Sequence, residues 1–239
     1  MSPSTSRGQL ALNVQLSDDA TFENFLAWGG HAAVVDAVRG QLAAGGDQAI
    51  YLAGPTGVGK SHLLQAACHL AGGTAVYLPL AELGPTAGSD LPPGVFDGLE
   101  ALDLVCVDDL DVVARVPAWE RSLFNFYNRA SETGCRLLFA ARGAPRTLGL
   151  DLPDLASRLS WATIYQLPAA DELHRVEILQ FRAGRRGLRL PPVVARYIMN
   201  RSARDMAALI GVLERLDGVS LAEQRRLSVP FVRRALGWT

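Results

Sequence analysis

One octapeptide, at residues 54–61, limits the folds open to this chain more than any other segment. It contains the only lysine among 239 residues, although arginine is common elsewhere. A compact ammonium fits between phosphate oxygens where a planar guanidinium does not. The octapeptide also matches G-x-x-x-x-G-K-[ST], in which backbone N–H groups and the Lys bind phosphates while the hydroxyl binds Mg²⁺. The predicted site for a nucleoside di- or triphosphate comprises Gly54, Pro55, Thr56, Gly57, Val58, Gly59, Lys60, Ser61 and His62.

The segments on either side of the octapeptide favour this interpretation. Residues 49–53 form a short apolar run typical of a buried strand, and residues 61–71 place Leu63, Leu64 and Leu70 at helical spacing. Strand, glycine loop and helix is the order that the motif requires. The alternative is that residues 54–61 are a glycine-rich turn that only joins two core elements.

The same alternation continues along the chain and predicts the fold class. Further strands are predicted at residues 75–78, 104–107, 136–140 and 163–167, with helices at 119–131 and 154–159. Strands separated by helices predict an α/β fold with a central parallel five-stranded sheet flanked by helices. Beyond residue 170 only helices are predicted, at 171–182, 191–200, 202–216 and 230–236. We therefore expect an N-terminal tail at 1–18, an α/β nucleotide-binding domain at 19–169 and a small all-helical domain at 170–239.

Two aspartates follow the third predicted strand. Asp108 ends the apolar run of that strand and Asp109 comes directly after it. An aspartate at this position holds the metal of many phosphate-loop enzymes, so Asp108 and Ser61 are the predicted metal ligands. Asp109 is then placed to polarise an attacking water. The alternative is that residues 108–111 are only an acidic exit from the strand.

Composition and charge narrow the class of protein. With 49% hydrophobic and 20% charged residues the chain has a globular composition. No apolar run approaches the roughly 20 residues of a membrane span, and the polar start lacks the pattern of a signal peptide, so we expect a cytoplasmic protein. Residues 175–239 carry 13 basic and 5 acidic side chains, against 10 and 19 in residues 1–174. Such a basic region can attract nucleic acid or an acidic partner, although solvated helix faces explain most of it.

Several segments together resemble a known family. The octapeptide, the strand ending in Asp108, residues 152–161 (Leu-Pro-Asp-Leu-Ala-Ser-Arg-Leu-Ser-Trp) and residues 202–206 (Ser-Ala-Arg-Asp-Met) resemble the AAA+ module of the bacterial replication initiator DnaA. Within that clade they are most similar to the Hda family of regulatory inactivators, and the resemblance covers nearly the whole chain. It implies an AAA+ domain followed by a helical lid, with ADP or ATP as cofactor. A DnaA protein continues into a helix-turn-helix domain, which we expect this chain to lack.

The resemblance gives roles to two arginines. Arg158 matches the arginine finger, which one subunit presents to the ATP of a neighbour. Arg204 matches the sensor II arginine, which the lid directs at phosphates bound in its own subunit. Without the resemblance, Arg158 could equally be a surface residue paired with Asp154, and Arg204 one basic residue of an amphipathic helix.

The N-terminus resembles a second feature of the family. Residues 9–14 are similar to its Gln-Leu-[Ser/Ala]-Leu-x-Leu peptide, which docks in a groove of the DNA polymerase sliding clamp, and the predicted clamp-binding residues are Gln9, Leu10, Leu12 and Val14. The alternative is an ordinary tail or edge strand. The implied partners are DnaA and the sliding clamp (β subunit), with DNA reached through the clamp and self-association left open. Residues 19–25 resemble the segment that DnaA relatives place near the base and ribose.

One departure bears on catalysis. After the fourth strand, where the family has an acidic residue, this chain has Arg142. Its reversed charge predicts weak ATP turnover by the chain alone, while Lys60 and Asp108 predict intact nucleotide binding. We expect a clamp-tethered regulator that stimulates hydrolysis of DnaA-bound ATP. The alternatives are an autonomous AAA+ ATPase, such as a helicase loader or DNA-remodelling protein, and a small-molecule kinase, which the helical lid disfavours.

Overall fold

A single parallel sheet forms the centre of the N-terminal part of the molecule. The computed structural model describes residues 16–83, 93–202, 205–223 and 226–238. Its strands are β1 (Ala49–Ala53), β2 (Ala75–Pro79), β3 (Leu104–Asp108), β4 (Arg136–Ala141) and β5 (Thr163–Gln166). They pair in the order β2-β3-β4-β1-β5, and every pair is parallel. The predicted fold class is confirmed.

Helices cover both faces of this sheet. They are α1 (His31–Gly40), α2 (Lys60–Ala71), α3 (Leu80–Leu83), α4 (Pro117–Thr133) and α5 (Pro153–Leu159). Ile50 and Leu52 of β1 pack in one core with α1 and α2, whereas Tyr51 packs in a second core with α4 and α5. Because β1 is buried on both faces, its sequence is a continuous apolar run rather than an alternating one.

In the described residues, the C-terminal part is a bundle of four helices with a hydrophobic core of its own. These are α6 (Glu172–Arg185), α7 (Pro192–Arg201), α8 (Met206–Glu223) and α9 (Val229–Leu236). Leu179, Ile198, Leu213 and Phe231 are among the buried residues that fill the core. The side chain of Asp171 accepts a 2.8 Å hydrogen bond from the His174 N–H and so caps α6. The helical arrangement agrees with the predicted lid, and its boundary near residue 170 stays a prediction.

The structure differs from the sequence prediction at a few elements. Helix α1 was not predicted, because only His31, Val34 and Val38 are buried along it and its apolar stripe is narrow. Helix α8 begins at Met206 and ends at Glu223, whereas the prediction was 202–216. Strand β5 ends at Gln166, one residue early, although the Leu167 N–H still donates to the Ala53 carbonyl at 2.7 Å. No helix in the described ranges is both long and apolar enough to cross a membrane.

Candidate functional site

The phosphate loop, residues 54–61, connects β1 to α2 at the carboxyl edge of the sheet. The Gly54 N–H donates to the Ala141 carbonyl of β4 at 3.2 Å, which fixes the start of the loop. Lys60 is buried, and its Nζ donates to the carbonyls of Gly54 at 2.7 Å and Pro55 at 2.9 Å. The loop therefore encloses the ammonium at the N-terminus of α2, where free N–H groups and the helix dipole favour an anion.

Two glycines let other parts of the chain approach this loop closely. Gly57 and Gly59 have φ angles of 81° and 96°, a region that L side chains rarely adopt. A Cβ on Gly57 would lie 2.9 Å from Oδ1 of Asp205, and one on Gly59 would lie 2.6 Å from Cε2 of Phe25. The loop is thus bordered by the helical lid on one side and by the N-terminal segment, residues 16–28, on another.

Asp108 and Asp109 lie next to the loop and have different environments. Asp108 is fully buried, and its carboxylate accepts hydrogen bonds from the Tyr77 hydroxyl at 2.8 Å and the Asp109 N–H at 2.9 Å. Asp109 is partly buried and adopts a left-handed conformation with φ 55°. Burial, and then the charge of Asp108, raise the pKa of Asp109. A carboxylate with a raised pKa is a better proton acceptor, which fits the predicted role of Asp109.

Lys60 and the aspartates form one electrostatic unit. Burial lowers the pKa of Lys60, and the charges of Asp108 and Asp109 act in the opposite direction.

The Ser61 side chain is exposed at the first turn of α2. No cluster of three His, Cys, Asp or Glu side chains able to hold a metal occurs among the described residues. Mg²⁺ usually takes only one or two protein oxygens and completes its shell with phosphates and water, so Ser61 and Asp108 are a suitable pair of ligands.

Arg142, the residue with reversed charge, is held by Asp111. Its N–H donates to the two carboxylate oxygens of Asp111 at 2.9 and 3.2 Å, and its guanidinium Nε lies 3.8 Å from the same carboxylate. Its side chain is 67% exposed. The positive charge at the end of β4 is therefore partly neutralised, but it does not provide the acidic group that positions a hydrolytic water.

The N-terminal segment contacts both α2 and the lid. Nε2 of His62 lies 2.7 Å from the Thr21 carbonyl, and its ring is 5.4 Å from that of Phe25. Burial lowers the pKa of His62, which favours the neutral ring. In this structure His62 holds the segment that resembles the base and ribose contact of the family.

A buried arginine of α6 links the lid to the same segment. Nη1 of Arg182 donates to the carbonyls of Asp19 at 3.2 Å and Asn24 at 3.0 Å. Nη2 of Arg182 and the guanidinium of Arg186 both pair with the Asp19 carboxylate. Sequence reasoning missed this contact, because it joins residues more than 150 positions apart, and the only sequence signal was the group of arginines at the end of α6.

Arg158 lies away from the phosphate loop. Strands β1 and β5 are parallel, with Ile50 beside Thr163 and Ala53 beside Gln166. The loop follows the carboxyl end of β1, whereas Arg158 comes shortly before the amino end of β5. A strand of this length spans about 13 Å, so Arg158 is near the opposite edge of the sheet from the loop.

The side chain of Arg158 contacts an aromatic ring. Its Cζ lies 4.4 Å from the centroid of the Trp161 ring. In the part of the chain that the structure describes, no carboxylate is within ion-pair distance of Arg158, so the alternative of a pair with Asp154 is not what is observed. Arg158 and Trp161 form what is called the Arg158 face below, and Arg146 lines the same cavity as Trp161.

Two groups of predicted site residues lie outside the described residues. One is Arg204, whose neighbour Asp205 is the lid residue next to Gly57. The other is the clamp-binding set Gln9, Leu10, Leu12 and Val14. Their roles stay predictions.

Comparison with known proteins gives a family match for the lid and a fold match for the whole chain. Residues 171–236, which contain α6 to α9, match the family described as "Hda, lid domain". The whole fold is similar to domain III of the replication initiation protein DnaA from Thermotoga maritima, with a TM-score of 0.76 and 19% identity over 94% of this chain and 98% of that chain.

Two longer proteins share the fold. AMPPCP-bound DnaA from Aquifex aeolicus has a TM-score of 0.67 and 20% identity, covering 87% of this chain and 68% of that chain. The Holliday junction branch migration motor RuvB from Thermotoga maritima has a TM-score of 0.64 and 16% identity, covering 91% and 71%. At these identities the likeness concerns the fold.

Proposed function

We propose that this chain, a DnaA-related, Hda-like AAA+ protein, binds a nucleotide at residues 54–61 and regulates DnaA by acting on the ATP that DnaA holds. The observation that carries this proposal is the position of Arg158. The side chain lies near the edge of the sheet opposite the chain's own phosphate loop and is only partly buried, so it is suited to a nucleotide on a different subunit.

The chain's own site would hold ADP or ATP. Lys60 and the N–H groups of the loop bind the phosphates, Ser61 and Asp108 bind Mg²⁺, and the ion supplies charge neutralisation when it is bound. Two DnaA structures with this fold contain AMPPCP, which supports a nucleotide at the equivalent loop. Lid and N-terminal segment meet beside this loop, so the bound nucleotide would fix how α6 lies against residues 19–24.

Arg158 would act in trans on DnaA. Its guanidinium would stabilise the charge that develops on the γ-phosphate of DnaA-bound ATP during hydrolysis. An arginine supplied in trans can accelerate such a reaction by roughly a thousandfold or more. Hydrolysis converts the initiator to its ADP form, and the chain therefore acts as a negative regulator of DNA replication initiation.

The sliding clamp would bring the two proteins together. Gln9, Leu10, Leu12 and Val14 would dock in the clamp as an extended peptide, with apolar side chains in pockets. A clamp on DNA then raises the effective concentration of this chain near DNA-bound DnaA without any new contact between them. DNA is thus reached through the clamp.

The test is an omission series. The rate at which ATP preloaded on DnaA becomes ADP is measured with this chain and clamp-loaded DNA present, and again with each component left out. We expect acceleration that needs all components. Substantial ATP consumption by this chain alone, with no effect on DnaA, would instead support an autonomous AAA+ ATPase and would reject the regulator.

A further inference from the structure

Trp161 is unusually exposed for its size. Its relative exposure is 68%, the highest of any large hydrophobic side chain in the described ranges, whereas Trp119 is 3% exposed. Because the indole is exposed, it contributes little hydrophobic stabilisation to the fold of its own chain. The proposed roles of Arg158, Lys60 and the aspartates do not require this side chain.

The local backbone fixes Trp161 against the arginine. Helix α5 ends at Leu159, and the Trp161 N–H donates to the Arg158 carbonyl at 3.0 Å. The Ser160 hydroxyl donates to the Ala156 carbonyl at 2.7 Å, which ties down the same turn. The turn places the indole ring under the guanidinium, with Cζ 4.4 Å from the ring centroid. This distance is within the roughly 6 Å range of a cation–π contact.

The surroundings of this pair suit the approach of another subunit. An open cavity of about 350 Å³ lies beside Trp161 and is lined by Arg146, Ala156, Ser157, Ser160 and Trp161. Arg146 places a positive charge at this opening, next to Trp161. The surface beside Trp161 is therefore open, basic and partly aromatic, and no carboxylate among the described residues lies within ion-pair distance of Arg158.

We propose that Trp161 is a positioning residue, which holds the Arg158 guanidinium extended over its ring so that it points at the nucleotide of a docked partner. This inference rests on the proposed function. An exposed arginine side chain samples many rotamers, and a face that restricts them lowers the entropy lost when the guanidinium meets its target. The ring would act through Arg158 and need not touch the nucleotide.

The variants are Trp161→Ala, Trp161→Phe and, as a matched control, Leu173→Ala, which removes a side chain of similar exposure (65%) from the lid. Single-turnover hydrolysis of DnaA-bound ATP is measured against the concentration of each variant. We expect Trp161→Ala to lower the maximal rate roughly 3- to 30-fold, the range that a cation–π contact spans from exposed to desolvated. The variant concentration that gives half of the maximal rate should change much less. Trp161→Phe should restore most of the maximal rate.

A second readout tests the contact without DnaA. In an NMR spectrum of the arginine Nε–H groups, the ring current of the indole should shift the Arg158 signal, which is assigned by its loss in Arg158→Ala. Trp161→Ala should move the signal to the ordinary arginine position while the melting temperature stays within about 2 °C.

The outcomes separate this inference from the proposed function. Wild-type acceleration that Trp161→Ala leaves unchanged would overturn the role of Trp161 alone. If Trp161→Ala changed only the concentration that gives half of the maximal rate, the positioning role would also be overturned, because Trp161 would then be a docking contact. If the wild-type chain does not accelerate hydrolysis on DnaA, the proposed function fails and the positioning role fails with it.

Discussion

The phosphate loop and the Arg158 face differ in how the rest of the chain holds them. Lys60 is 8% exposed, donates two hydrogen bonds within its own loop and lies among several aspartates. Arg158 is only partly buried, and its guanidinium stacks on the exposed Trp161 ring rather than being enclosed by the fold. A group that binds this chain's own nucleotide is preorganised by the fold, whereas a group that acts on a partner has to stay accessible.

This difference predicts which substitutions affect which molecule. Changes at the loop should alter nucleotide binding and stability of this chain. Changes at the Arg158 face should alter only the reaction on DnaA.

The largest expected effect comes from Arg158→Ala. Loss of an arginine supplied in trans should slow hydrolysis of DnaA-bound ATP by roughly a thousandfold, to the rate of DnaA alone. Nucleotide and clamp binding by this chain should be unchanged. Single-turnover kinetics and equilibrium titration measure the two properties, with the exposed Arg196→Ala of α7 as control. Full stimulation by Arg158→Ala would reject the finger assignment.

Lys60→Ala tests the phosphate loop, which we expect to bind this chain's own nucleotide. A charged hydrogen bond contributes about 1.5–3 kcal/mol, so nucleotide affinity should fall roughly 10- to 150-fold. Titration calorimetry with ADP and Mg²⁺ measures the change. Lys60→Arg keeps the charge but not the compact shape, and it should also bind weakly. Normal affinity in both variants would mean that the loop does not bind phosphate.

Arg182→Ala tests the link between the lid and the N-terminal segment. Two carbonyls and the Asp19 carboxylate lose a donor, which should lower the free energy of unfolding by about 2 kcal/mol. The melting temperature should fall by about 4–8 °C. The exposed Arg189→Ala, shortly after α6, is the control and should have a much smaller effect. Equal melting temperatures of the two variants would show that Arg182 does not stabilise this link.

Asp109→Asn should have the smallest effect, and the effect should depend on pH. The pKa of Asp109 is raised in the folded chain above its ordinary value of 3.8. Between the unfolded and the folded pKa the folded state therefore binds more protons than the unfolded state, and the free energy of unfolding falls as pH rises through this interval. The asparagine cannot ionise and tolerates the left-handed backbone. We expect it to melt about 2 °C higher at neutral pH and to match the wild type below pH 3.8. The exposed Asp154→Asn is the control, and an advantage of Asp109→Asn that persists in acid would contradict this explanation.

Much of the fold could be predicted, and the candidate nucleotide site could be located, because the signals are local. The octapeptide, the apolar run of β1 and the strand that ends in Asp108 are contiguous in sequence, and parallel pairing brings them to one edge. Helix α1 could not be predicted with the same ease, because its buried stripe has few members.

The contacts that enclose the site could not be predicted, because they join distant positions. Asp205 reaches Gly57 from the lid and Phe25 reaches Gly59 from the N-terminal segment, and no periodic pattern in the sequence indicates either pair. Trp161 is within the motif that identified Arg158, but its exposure and its stacking follow from the turn after α5.

The most direct measurement asks whose ATP is hydrolysed. DnaA is loaded with ATP radiolabelled at the γ-phosphate, this chain is loaded with unlabelled ATP, and the two are mixed on clamp-loaded DNA. We predict rapid release of labelled phosphate that disappears with Arg158→Ala. Retained label, with the unlabelled ATP of this chain consumed instead, would contradict action in trans.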